Sequence, residues 1–180
     1  MKRLTYGLTL AATFCSAVQA DVIGKKPWTT IGSAGTTVSG QVINTSGTAF
    51  LDGPSAVLIY NVVAVNGLQA KNGVLPVHPI MIAKFRDNGA NNHVIVRLRR
   101  VNLANGQVHN MITIDSNNYA GSSSFQTREV GCGNNFTFDF SQYAFFVEVT
   151  MTRTGLPVTP AIASVQLGTS SSPCLVAPGA

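Results

Sequence analysis

Five side chains with basic nitrogen recur on alternate positions of two neighbouring apolar stretches. Lys84 and Arg86 interleave with Met81, Ala83 and Phe85, and His93, Arg97 and Arg99 interleave with Val94, Val96 and Leu98. Alternation of this kind puts the cations on one face of a strand and the apolar residues on the other. No acid falls within Ile80–Arg86, Val94–Val101 or Val108–Ile114 to offset them. The chemistry this favours is docking of an anionic polymer, with affinity that falls as salt rises. The same pattern also serves as a solvated face whose cations guard a sheet edge. Trp28, the only tryptophan, joins the candidate binding residues as a stacking platform, against a plainer role as a lid on the core.

Catalytic chemistry has little to work with. The histidines are His78, His93 and His109, and none sits in a nucleophile, metalloprotease, phosphate-loop or dinucleotide motif. Asp139 and Glu148 are the best carboxylate pair for glycoside hydrolysis, but both read as charges on the wet face of strands, several residues apart. Two polar loops carry oxygen donors, Asp87–Asn92 (DNGANN) and Asp115–Asn118 (DSNN). Each has one carboxylate and lacks calcium-loop spacing. They read as turns, for which Asn-Gly is favoured chemistry. The expectation is therefore no catalytic set, no metal site and no cofactor.

The address is clearer. Lys2 and Arg3 precede a short apolar run ending in Val18-Gln19-Ala20. That is the form of a signal peptide over residues 1–20, with export to the periplasm or the extracellular space and no transmembrane segment after cleavage. Removing Lys2 and Arg3 lowers the formal net charge from +5 to +3, which gives no reason to expect nucleic acid. Cys132 and Cys174 remain as an even pair, read as one disulfide tying the C-terminal tail to a loop. Such a bridge contributes about 4 kcal/mol by chain entropy.

The elements that must position these residues are strands. The run Asn135–Thr152 alternates Phe136, Phe138 and Phe140, then Tyr143, Phe145, Val147, Val149 and Met151, with smaller or polar residues. It predicts an antiparallel pair turning at Ser141-Gln142, with Phe138 opposite Phe145. Further strands are expected at Thr36–Ile43, Ala56–Val65, Ile80–Arg86, Val94–Val101, Val108–Ile114, Phe125–Val130 and Ala161–Leu167. Asn44–Ser55 reads as a turn region, and Ala56–Val65, apolar on both faces, as a central strand. A loop at Ala104-Asn105-Gly106 with Gly106 left-handed and a bulge sets Leu98 opposite Ile112 and Val96 opposite Ile114. Met81, Ala83 and Phe85 then point inward with that set, leaving Lys84, Arg86, His93, Arg97 and Arg99 on a common outer face.

No stretch has helical periodicity. Short strands with turn signals about every ten residues predict an all-β antiparallel sandwich, jelly-roll or immunoglobulin-like, of roughly eight to nine strands. Residues 21–35 form an arm and 36–180 a single domain. Exported chaperone-assembled pilins are similar in their Ser/Thr/Gly-rich composition and single disulfide, but theirs lies in the first half of the domain. The function expected is a non-catalytic binding or structural module of the envelope or extracellular space, with an anionic glycan, an envelope polymer or a protein as partner. The alternatives are a self-assembling surface or adhesin subunit, and a secreted hydrolase with a loop-built site.

Overall fold

The computed structural model describes residues 26–65, 68, 78–89, 91–131, 137–155 and 158–170. The expected signal peptide, Cys132, Cys174, Phe136 and the C-terminal tail lie outside them.

The chain is all-β. Among the described residues nine strands run β1 (Trp28–Ile31), β2 (Thr36–Thr45), β3 (Thr48–Val62), β4 (His78–Asp87), β5 (Asn92–Asn102), β6 (Val108–Asp115), β7 (Ser122–Gly131), β8 (Tyr143–Arg153) and β9 (Ala161–Ser170). All pairings are antiparallel, in the order β6-β5-β8-β3-β9-β4-β7, with β1 added to β9 and β2 to β3. The sheet folds over on itself into a nearly closed sandwich. β4 and β5 follow each other in the chain yet do not pair; their inward residues meet in one core. Met81, Ala83 and Phe85 face Val94, Val96 and Leu98 there, all fully buried.

The fold turns its corner inside β3. The later half, Ser55–Val62, pairs with β8, whereas Ala49 and Phe50 pair with β9. Gly53, at φ +142°, takes a backbone angle that residues with a Cβ rarely adopt, and Pro54 follows it. The turn expected over 44–55 is much shorter. The turn is only Ser46-Gly47, and the strand resumes at Thr48, because glycine and proline here bend a strand rather than end it.

The aromatic hairpin is corrected. Tyr143–Arg153 is a strand, but residues 137–139 are irregular and 140–142 form a turn. Asp139 decides this: its carboxylate accepts the Ser141 N–H at 2.9 Å, the Ser141 hydroxyl at 2.6 Å and Gln142 Nε2 at 2.9 Å. Such local bonds compete with a ladder. They also hold the Asp139 carboxyl below its usual pKa, through the Ser141 side chain first and the Ser141 backbone second. Both edges of β8 are in any case taken, by β5 and β3. Phe138 nevertheless meets Phe145 as expected, at 5.0 Å, and Phe140 also packs against Phe145, 5.1 Å away in an edge-on arrangement.

Leu98 does oppose Ile112 and Val96 does oppose Ile114, and Gly106 has φ +71°. The shift that produces this register lies further along than the loop, between Leu98 and Arg99, where β6 carries Met111 as the extra residue. Trp28–Ile31, expected within an arm, pairs with Ser164–Leu167 of β9. Among the described residues no helix is long and apolar enough to cross a membrane.

Candidate functional site

β8 sits between β5 and β3, so its outward residues form the middle of a broad face. Three cross-strand rows build it: Ile95–Thr150–Val57, Arg97–Glu148–Ile59 and Arg99–Phe146–Asn61. The alternation that buries Phe145, Val147 and Val149 turns Phe146, Glu148 and Thr150 outward, where they are half-buried. Phe146 is an aromatic ring on the polar phase of its strand.

The charges on this face are fixed. Glu148 Oε1 accepts from Arg97 Nη1 at 3.2 Å, and Oε2 accepts from Arg99 Nη1 at 2.6 Å. The Arg99 guanidinium lies 5.8 Å from the centre of the Phe146 ring, within cation–π range. Its Nε is buried without a partner among the described residues. At the end of the face His93 Nε2 lies 2.7 Å from Asp115 Oδ1. The result is a sheet surface offering one ring, two planar multi-donor groups with donors to spare and a carboxylate. This chemistry suits reversible recognition of a flat, hydroxyl-rich surface.

The five cations expected on a common face are divided between two. His93, Arg97 and Arg99 share the β5–β8 face, but Lys84 and Arg86 leave from the opposite layer, because β4 pairs with β7 and β9. Lys84 stands exposed between Thr127 and Ser164. Arg86 is occupied: its Nε donates to the Thr159 carbonyl at 3.0 Å, and its guanidinium lies 5.2 Å and 5.6 Å from the Phe50 and Phe125 rings. The expectation of no compensating acid also fails. Glu148 and Asp115 come from β8 and β6 to meet Arg97, Arg99 and His93. Trp28 is 7% exposed and packed into the core, which fits the lid and leaves no free ring face for a ligand.

Phe146 is a functional candidate that sequence reasoning passed over, and Glu148 is one it weighed only as half of a carboxylate pair with Asp139. A large aromatic in the polar phase of an alternating strand was a usable signal. Glu148 had none, since its partners lie about fifty positions earlier in the chain.

Among the described residues no hydrolytic set assembles around His93 or His109. His93 is paired with Asp115, and the neighbouring Ser116 hydroxyl, 1% exposed, accepts the Val94 N–H at 2.9 Å. His109 is exposed on β6, and Asp139 is committed to its own turn. Among the described residues no group of three or more His, Cys, Asp or Glu could hold a metal ion.

No family model and no curated protein matches the chain. Two solved structures from Clostridium thermocellum are similar to it. One holds the CBM22-1 and GH10 modules of endo-1,4-β-D-xylanase 10B, complexed with xylohexaose, at 11% identity and a TM-score of 0.40. The match covers 84% of this chain and 29% of that one, so the chain spans under a third of the length of that two-module chain. The other is a family 11 carbohydrate-binding module in complex with a β-1,3-1,4-mixed-linked tetrasaccharide, at 12% identity and a TM-score of 0.37, covering 84% of this chain and 95% of that one.

Proposed function

We propose that this chain is an exported, non-catalytic carbohydrate-binding module that holds a glycan across the outer face of β5 and β8. The observation that carries the reading is the row Arg99–Phe146 beside Arg97–Glu148. Phe146 offers a ring on which the C–H face of a sugar stacks. The two guanidiniums and the carboxylate offer donors and acceptors for neighbouring hydroxyls. Because Glu148 already holds both arginines, little side-chain freedom is lost when a ligand arrives, and preorganisation of this kind raises affinity.

The same carboxylate changes the ligand class from the one the sequence favoured. With Glu148 between Arg97 and Arg99, the face is only weakly cationic, so the ligand is a neutral or sparsely charged polysaccharide of the envelope or surroundings. Export by the signal peptide over residues 1–20 and a Cys132–Cys174 disulfide belong to this reading.

The assembly alternative needs an open strand edge for a donated strand. β2 is an edge strand with Val38 and Ile43 exposed. Its register breaks between Thr37 and Ser39 and again between Gly40 and Val42. Bulges of that kind blunt an edge against pairing, which favours the binding module.

The test is a glycan array and affinity electrophoresis on the mature chain, its Phe146→Ala variant and its Arg97→Ser/Arg99→Ser double variant. Binding of a neutral glucan, xylan or similar polymer, weakened at least tenfold in both variants, is expected. An array without a bound glycan, or binding unchanged in both variants, overturns the proposal.

A further inference from the structure

The two polar loops that look unremarkable one at a time come together in space. Asp87 ends β4 and Gly89 follows it, and Ser116, Asn117 and Tyr119 follow β6. Together with Gly121 they line one cleft of about 430 Å³ at the end of the sandwich. The loops are pressed close: a Cβ on Gly121 would fall 2.4 Å from the Gly89 nitrogen.

Asp87 is the unusual member. It is 1% exposed, it lines the cleft, and the single hydrogen bond of its carboxylate among the described residues is from the Gly89 N–H to Oδ1, at 2.9 Å. No Lys, Arg or His among the described residues forms an ion pair with it. Arg128 is directed elsewhere, stacked 4.6 Å from the Tyr119 ring with Nη2 donating to Gln126 Oε1 at 2.8 Å. Asp115 is also spent, its Oδ1 taken by His93 and by the Asn117 N–H at 2.9 Å. Carboxylates withdrawn from water are as a rule paired with a cation or bound to a metal. The other polar side chains lining the cleft are neutral: Ser116, whose hydroxyl keeps a lone pair after accepting the Val94 N–H, and Asn117.

We propose that this cleft binds a calcium ion, with Asp87 as the charged ligand, Ser116 and Asn117 as neutral oxygen ligands, and water completing the shell. Calcium accepts six to eight oxygens in flexible geometry, whereas magnesium demands a near-ideal octahedron. One carboxylate gives a weak site, in the range of about 10⁻⁴–10⁻³ M found for extracellular modules. The ion joins the β4–β5 turn to the 116–121 segment, and neither loop holds it alone.

Terbium, a luminescent stand-in for calcium, tests this on the full mature chain, because Tyr119 in the cleft wall sensitises its emission. Emission that calcium chloride displaces in the millimolar range is expected, together with a calcium-dependent rise in Tm. Asp87→Asn abolishes both. Tyr119→Phe loses the emission and keeps the Tm rise. If Asp87→Asn does not fold, Asn117→Ala serves instead and weakens calcium at least threefold. Absence of both signals in wild type, emission unchanged in Asp87→Asn and in Tyr119→Phe, or an Asp87→Asn variant more stable than wild type in saturating calcium overturns the site.

Discussion

Glu148 bridges Arg97 and Arg99: its two carboxylate oxygens accept from the two guanidiniums at 3.2 Å and 2.6 Å. The side chains are 28% exposed for each arginine and 16% for the glutamate, so the cluster is only partly screened by water. Glu148→Ala leaves two like charges side by side on adjacent outward positions of β5. It is expected to lower stability by about 1–2 kcal/mol, read from urea midpoints at constant m-value. Adding Arg97→Ser to the Glu148→Ala variant relieves part of that loss.

Phe146 separates binding from folding. Its ring is half-buried on the outer face, and Phe146→Ala is expected to cost below about 1 kcal/mol of stability while glycan affinity falls at least tenfold. A large drop in the urea midpoint with affinity intact would assign the ring to packing.

Phe138 is the opposite case. It is 2% exposed and in ring contact with both Phe140 and Phe145. Phe138→Ala removes that burial and leaves a cavity, so a cost of about 3–5 kcal/mol is expected. Thermal and urea unfolding both report it.

Tyr60 ties the β1–β2 connection to the core by donating its hydroxyl proton to the Gly32 carbonyl at 2.6 Å. Burial pushes its pKa upward. A raised folded-state value means its contribution is complete below the unfolded value of about 10 and is lost as pH climbs beyond it. Wild type should therefore lose stability above about pH 10. Tyr60→Phe should be weaker by about 1–2 kcal/mol at neutral pH and show a shallower alkaline decline. Parallel pH–stability curves for the two proteins would contradict this.

The local alternation was legible. Val94, Val96 and Leu98 are buried against outward Arg97 and Arg99, and Phe145, Val147, Val149 and Met151 against outward Phe146 and Glu148. Even the β5–β6 register followed from asking which side chains must share a face. The face itself was not legible, because it depends on β8 entering between β5 and β3. Hydrophobic period says which side of a strand is buried but nothing about its neighbours in the sheet. That is why Glu148 looked like an isolated surface charge, and why Lys84 and Arg86 were placed beside Arg97. Asp139 misled for a different reason: a short polar side chain in an alternating run bonds its own turn instead of continuing the strand.

The bend at Gly53 and Pro54 bears on how this molecule comes apart. β3 belongs to both layers, pairing with β8 through Ser55–Val62 and with β9 through Ala49 and Phe50. Pulling it away strips a neighbour from each layer at once, so neither layer has an independent melting event. A single cooperative transition follows, with coincident near- and far-ultraviolet melts. Its formation must wait on encounters between distant chain segments, β3 with β8 and β1 with β9, which sets a folding time in the slow, millisecond-to-second class of all-β domains.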